Sequence, residues 1–219
     1  ALTGEGLMGG VKGLLLDRRF RLFLSARTVS VFGSGMAPIA LSFAVLGLDG
    51  QATELGVVLS ARMLAQILFV LYGGVLADRF SRQRTMVLAD LAAAASQALI
   101  ATLLIAGQGT IGALIVLAFL NGVATAMFEP AAEGVLPLLL PPVLIKDARA
   151  MLQSGENAAR ILGTAGAGFL VVLAGSGWAL MIDAGTFLVS ALLLSMLGLP
   201  PVERAERNSL LADLRGGLR

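Results

Sequence analysis

The chain contains no cysteine and no histidine, and only 14% of its 219 residues are charged. Without cysteine there are no disulfides, no thiolate nucleophiles and no thiolate metal sites; without histidine the usual neutral-pH base and the commonest metal ligand are missing. No G-x-x-x-x-G-K-S/T phosphate loop occurs, and Gly163, Gly166 and Gly168 lie inside an apolar run with no preceding strand, so they do not form a dinucleotide loop. No enzyme chemistry, cofactor or metal is expected. With hydrophobic residues at 57% and a mean hydropathy of +0.89, a water-soluble fold would lack the polar surface to cover itself.

What is present is a series of long apolar segments rich in glycine, 27 residues in all, without a G-x-y period. The net charge of +2 and a pI near 9.7 do not indicate nucleic-acid binding, because the basic residues are dispersed between apolar segments instead of gathered on one element. The lengths predict six bilayer-crossing helices, from about Phe20 to Leu48, Thr53 to Ala77, Arg84 to Ala106, Thr110 to Leu136, Leu144 to Ala174 and Trp178 to Leu199. Gly33, Gly35 and Pro38 make a bent or thinly packed first span plausible. Pro137, Pro141 and Pro142 interrupt the pattern after the fourth span, and Pro200-Pro201 stops the sixth.

Residues 1–19 read as an N-terminal cytoplasmic segment, 20–200 as the membrane bundle and 201–219 as the start of a polar linker. The first of these has no apolar core followed by a small-residue cleavage site, so the first span is expected to direct insertion. Connections after spans one, three and five carry no Lys or Arg. The N-terminal segment and the connections after spans two, four and six carry Arg18, Arg19, Arg79, Arg82, Arg84, Lys146, Arg149 and Arg204 among others. By the positive-inside rule both ends of the chain are expected to be cytoplasmic.

Charges inside the spans are expensive against lipid, roughly 2.5–3.5 kcal/mol each on insertion scales, and are expected to face the interior or a wet cavity. They are Arg27, Arg62, Asp90, Glu129, Glu156, Arg160 and Asp183. Arg27 and Arg160, near the cytoplasmic side, have snorkelling as an equal alternative. Asp183 suits either a helix start at the opposite interface or a cavity, whereas Arg62 has no easy aqueous exit. Glu129 and Glu133 share one face of span four and repel unless a base intervenes or one binds a proton. Glu129 is the leading proton-linked candidate, set against a structural pairing with Arg27 or Arg160. In span five Gly155, Ala159, Gly163 and Ala167 form a small-residue stripe for close helix packing.

The turn Gly74-Val75-Leu76-Ala77-Asp78-Arg79-Phe80-Ser81-Arg82-Gln83-Arg84 resembles the signature loop, G-x-L-a-D-r-x-G-r-k, between helices two and three of the major facilitator superfamily. Ser81 departs from the pattern's glycine and Gln83 from its usual base. Phe128-Glu129-Pro130-Ala131, Leu136-Pro137, Asn157 through Gly163 and Ile182 through Phe187 are similar to landmarks of its bacterial drug and siderophore exporters, the branch of the enterobactin exporter. Thr164 stands where that branch usually has proline.

The resemblance implies an all-α membrane protein whose six transmembrane helices form one half of the fold, built as two three-helix inverted units. It places Gly74 and Asp78 in gating, has Asp90 support the loop through Arg79, Arg82 and Arg84, and sets helix five at the seam between halves. It implies a multi-pass protein of the bacterial inner membrane that exports small amphipathic molecules against protons, partnered by the lipid bilayer and by a second six-helix half in cis or in trans. The alternative is an accessory or truncated membrane protein without transport of its own.

Overall fold

The structure, a computed structural model, describes residues 13–79 and 81–199, and for 75–79 the backbone alone. Its elements are α1 (Arg18–Gly47), α2 (Ala52–Arg79), α3 (Arg82–Ile105), α4 (Ile111–Glu133), the short α5 (Leu136–Leu139), α6 (Pro142–Ala174) and α7 (Ser176–Ser195). Six helices are long and apolar enough to cross a membrane, with α4 and α5 counted as one span. The predicted spans lie within a few residues of these bounds. The linker 201–219 and residues 1–12 lie outside the described residues.

Local chemistry sets the helix ends. Asp17, Ser81 and Thr110 are N-caps whose side chains accept the backbone N–H of Phe20, Arg84 and Ala113. Each satisfies an amide that the helix leaves open. Gly107 and Gly175 turn the chain with φ of 67° and 91°, where a side chain would be strained. At the proline-rich break, α4 stops at Glu133 with Gly134 as its C-cap, and α6 starts at Pro142, two residues earlier than expected. Proline suits a first helical turn because the missing N–H has no intrahelical acceptor there. Pro38 and Pro130 are accommodated within α1 and α4.

The packing pattern reveals the internal symmetry. Helix α1 lies against α6 and α7, α4 lies against α2 and α3, and α3 meets α7. Exchanging α1 with α4, α2 with α6 and α3 with α7 leaves this set of partners unchanged. That is the arrangement of two interlocked three-helix units, in which neither unit forms a core alone because α1 and α2, like α2 and α3, hardly touch.

Two apolar cores occupy opposite ends of the bundle. One joins Phe20, Phe23, Met86, Phe128, Leu152 and Leu194, and the other joins Leu41, Val45, Val58, Ile100, Leu114 and Leu180. Between them lies a polar layer containing Ser30, Asp90, Ser96, Gln97, Asn121, Asp183 and Ser190, all buried. Helices α2 and α6 are the least covered: 11% and 17% of their apolar stretches are buried in the bundle, against 44% or more for the other spans.

Close approach depends on absent side chains. A methyl group on Gly163 would overlap the carbonyl of Phe32, Gly155 rests on Thr28 and Leu24, and Ala159 and Ala167 are buried. The stripe of α6 thus seats α6 on α1 within this six-helix unit. This corrects the expectation that it forms the seam between halves: the side of α6 left uncovered is the one bearing Ile161, Leu162, Phe169 and Val172.

Candidate functional site: a charged cavity between the two cores

The polar layer opens into a cavity of about 310 Å³ whose lining includes Arg27, Arg62, Asp90, Glu129 and Arg160. These come from five different helices, so the cavity exists only when both three-helix units are assembled. Its wall is completed by small and hydroxyl residues such as Ser30, Ser34, Ala93 and Thr125, together with Gln66, Phe128 and Phe187. Small side chains on facing helices leave the space into which the long charged ones project.

Arg27 is the hub. Its Nε donates to Glu156 Oε1 at 2.8 Å, its Nη1 and Nη2 reach Glu129 Oε1 and Oε2 at 3.2 and 3.4 Å, and its guanidinium lies 5.2 Å from the centre of the Phe128 ring. The pairing with Glu129 is bidentate, the geometry for which a planar guanidinium is suited. The side chains of Arg27 and Glu156 are only 12% and 13% exposed, whereas that of Glu129 is 48% exposed. One cation therefore holds a sheltered acid and an acid open to the cavity. Arg27 does not snorkel.

The two acids of α4 go separate ways. Glu129 takes Arg27, and Glu133 takes Arg149 of α6 at 3.3 Å on the exposed surface. The expected repulsion between them is answered by a base for each. Asp90 is 2% exposed, its Oδ2 has no hydrogen-bond partner, and its charged neighbours are Arg27 and Glu129. Its carboxyl thus stands beside the hub, while the expected support of the loop includes Arg79, whose side chain lies outside the described residues.

Arg62 of α2 and Arg160 of α6 both line the cavity. Each is near the middle of its helix, Arg62 ten residues from the start of α2, roughly 15 Å at the helical rise. Arg160, exposed in this bundle, lines the cavity. Asp183 is fully buried, accepts a hydrogen bond from Gln97 Nε2 and lies against Gly33, where a methyl group would collide with Asp183 and Thr186. It serves neither as a helix start nor as a cavity wall: it ties α7 to α3 and α1.

The signature turn explains its own departures. Ser81 supplies the N-cap of α3 through Arg84 N at 3.3 Å, which glycine would not provide. Gln83 Nε2 donates to the carbonyls of Leu194 and Ser195 at 2.9 and 2.8 Å, while its Oε1 accepts Leu199 N–H at 2.9 Å. A basic side chain could satisfy the carbonyls but not the N–H. The Arg82 guanidinium packs over Gly134, the C-cap of α4, where a cation complements the carbonyl end of the helix. Gly73, not Gly74, makes the tight contact, since a methyl there would overlap the Ala126 carbonyl while the space beside Gly74 is open. The side chains of Asp78 and Arg79 lie outside the described residues.

Sequence reasoning missed Gln97 and Ser190 as parts of the polar layer and underused Glu156. One signal was available: Asp90 and Gln97, seven apart on α3, fall on one helix face. The partner of Gln97 was not legible, because Asp183 arrives from a helix 86 residues away.

A model of the Major Facilitator Superfamily matches residues 23–216. The multidrug efflux pump Tap of Mycolicibacterium fortuitum is 28% identical over 90% of this chain and 49% of its own. The macrolide efflux protein A of Streptococcus pyogenes is 26% identical over 69% of this chain and 38% of its own, and the MFS-type transporter YfiS of Bacillus subtilis 27% over 80% and 41%. The chain spans about half the length of the curated relatives it matches. With the family model covering most of its length and its helices packed as a six-helix, twofold-repeated bundle, the chain belongs to the major facilitator superfamily.

Proposed function

We propose that this chain supplies one half of a secondary exporter of small amphipathic compounds, drugs or siderophores, in the bacterial inner membrane. The carrying observation is the charged cavity between two apolar cores, lined by α1 to α4 and by α6 and α7. A wet polar chamber at mid-membrane is what alternating access requires, and efflux proteins among the relatives support that use. The poorly covered apolar faces of α2 and α6 are the surfaces on which a second six-helix half would rock. Asp78 and its turn would hold the gate between the halves, with Gly74 leaving room for a close neighbour.

Coupling to protons is assigned to the Arg27 hub. Arg27 is shared between Glu129 and Glu156, so a proton on the cavity-facing Glu129 would release the guanidinium wholly to Glu156 and free the cavity mouth of an ion pair. Loss of that proton would restore the bidentate pair. Reconstitution of the protein, with all the chain its gene encodes, in vesicles under an imposed pH gradient tests this. Glu129→Gln should abolish driven export of an amphipathic dye and its linked proton flux while leaving downhill exchange. Normal coupled flux in that variant would remove Glu129 as the carrier.

A further inference from the structure

The hub around Arg27 leaves a second group of charges unexplained. Arg62 and Arg160 share the cavity and lie close enough for their charges to repel, while the charge of Asp183 attracts Arg62. Among the described residues no carboxylate oxygen comes within 4.0 Å of either guanidinium: Glu129 and Glu156 are paired with Arg27, and Asp183 accepts from Gln97 through Oδ2 while its Oδ1 is left without a hydrogen-bond partner. Asp90 faces the Arg27 side. The Nε of Arg62 is a buried donor with no acceptor. Two like charges, each in the middle third of its membrane span, Arg62 with an orphaned buried donor and Arg160 open to the cavity, are costly unless an anion completes them.

We propose that Arg62 and Arg160 form a subsite for an anionic group, carboxylate, sulfonate or phosphate, on the transported molecule. The inference rests on the export reading and specifies the chemistry of its cargo. A guanidinium pair reads planar or tetrahedral oxyanions by parallel N–H donors. Gln66, one turn beyond Arg62 on α2, and Ser34 of α1 line the same cavity and supply neutral polar groups beside the anion. The remainder of the roughly 310 Å³ meets Val31, Val70 and Phe187, which suits an apolar body. The cavity thus holds two groups of charge: Arg27, ion-paired with Glu129 and Glu156, and Arg62 with Arg160, which make no ion pair among the described residues. A cargo bearing a negative group has one preferred orientation in it.

The test uses the protein with all the chain its gene encodes, in lipid nanodiscs, and the probes 2-naphthoic acid and its neutral methyl ester. Equilibrium dialysis against protein-free nanodiscs corrects for partition into lipid. The acid should bind about tenfold tighter than the ester, and Arg62→Gln and Arg160→Gln should each bring that ratio towards one, while Arg160→Lys, which keeps the charge without the parallel donors, should retain only part of it. Should Arg62→Gln fail to fold, the exposed Arg160 carries the test alone. Equal binding of the two probes by the wild type overturns the proposal and indicates that an acid from elsewhere in the assembly neutralises the pair. An unchanged ratio in Arg160→Gln also overturns it. Gradient-driven export of the ester without discrimination would leave the export reading standing while this inference fails, and failure to bind either probe overturns both.

Discussion

Gly163 of α6 rests directly on the main-chain carbonyl of Phe32 in α1, with no room for a methyl group between them. At the next residue, the single Thr164 Oγ1 proton is shared between the Gly35 carbonyl at 3.1 Å and the Arg160 carbonyl of its own helix at 2.9 Å. The hydroxyl at a position where related exporters usually have proline therefore contributes a bond between helices. This seam joins the two three-helix units, and it fixes where Arg27 meets Glu156 and where Arg160 meets the cavity.

Gly163→Ala should destabilise the bundle by about 1–3 kcal/mol, because backbone faces backbone and neither can yield as a side chain would. Gly168→Ala, where nothing lies within 4 Å, should be neutral or slightly stabilising through helix propensity. Thermal unfolding of the two variants in the same nanodiscs decides the matter. Equal melting temperatures would refute the close seam.

Removing Arg27 strands Glu156, a carboxylate whose side chain is only 13% exposed. Arg27→Gln should lower stability by about 3–5 kcal/mol, the range for breaking one side of a buried pair, and Arg27→Gln with Glu156→Gln should recover most of it. A double variant no better than the single would show that Arg27 stabilises through packing on Phe128 and not through charge.

Gln83 joins the first turn of α3 to the last turn of α7 by two hydrogen bonds and to Leu199 just beyond it by a third. At about 1 kcal/mol net per bond, Gln83→Ala should cost about 2–3 kcal/mol. Gln83→Lys should fall between, since it keeps a donor for the carbonyls and leaves Leu199 N–H without its acceptor. Hydrogen exchange at Leu199 reads this directly: faster exchange in both variants is expected, and unaltered protection would dismiss the clamp.

Orientation follows from the one-sided basic residues and the absence of cysteine, which makes single-cysteine labelling clean. In intact cells an impermeant maleimide should label Gln108→Cys and spare Arg82→Cys until the cells are opened. The reverse pattern would invert the chain in the membrane.

Composition and periodicity alone determined the six helices, because a segment that must satisfy its own backbone in lipid has little choice but to be a helix of bilayer length. Caps such as Asp17 and Thr110, the glycine and proline breaks and the set of membrane-embedded charges were likewise legible, being properties of neighbours along the chain. Pairing was not. Whether Glu129 would meet Arg27 or Arg160, whether the α6 stripe faced inward or outward, and that Gln97 would hold Asp183 depended on which helices become neighbours. Those contacts join residues up to 129 positions apart, such as Arg27 and Glu156. Within a bilayer, hydrophobicity does not select one helix partner over another, so the choice rests on steric fit at positions like Gly163 and Gly73 and on the few polar groups that must find each other. Only the assembled bundle carries that information.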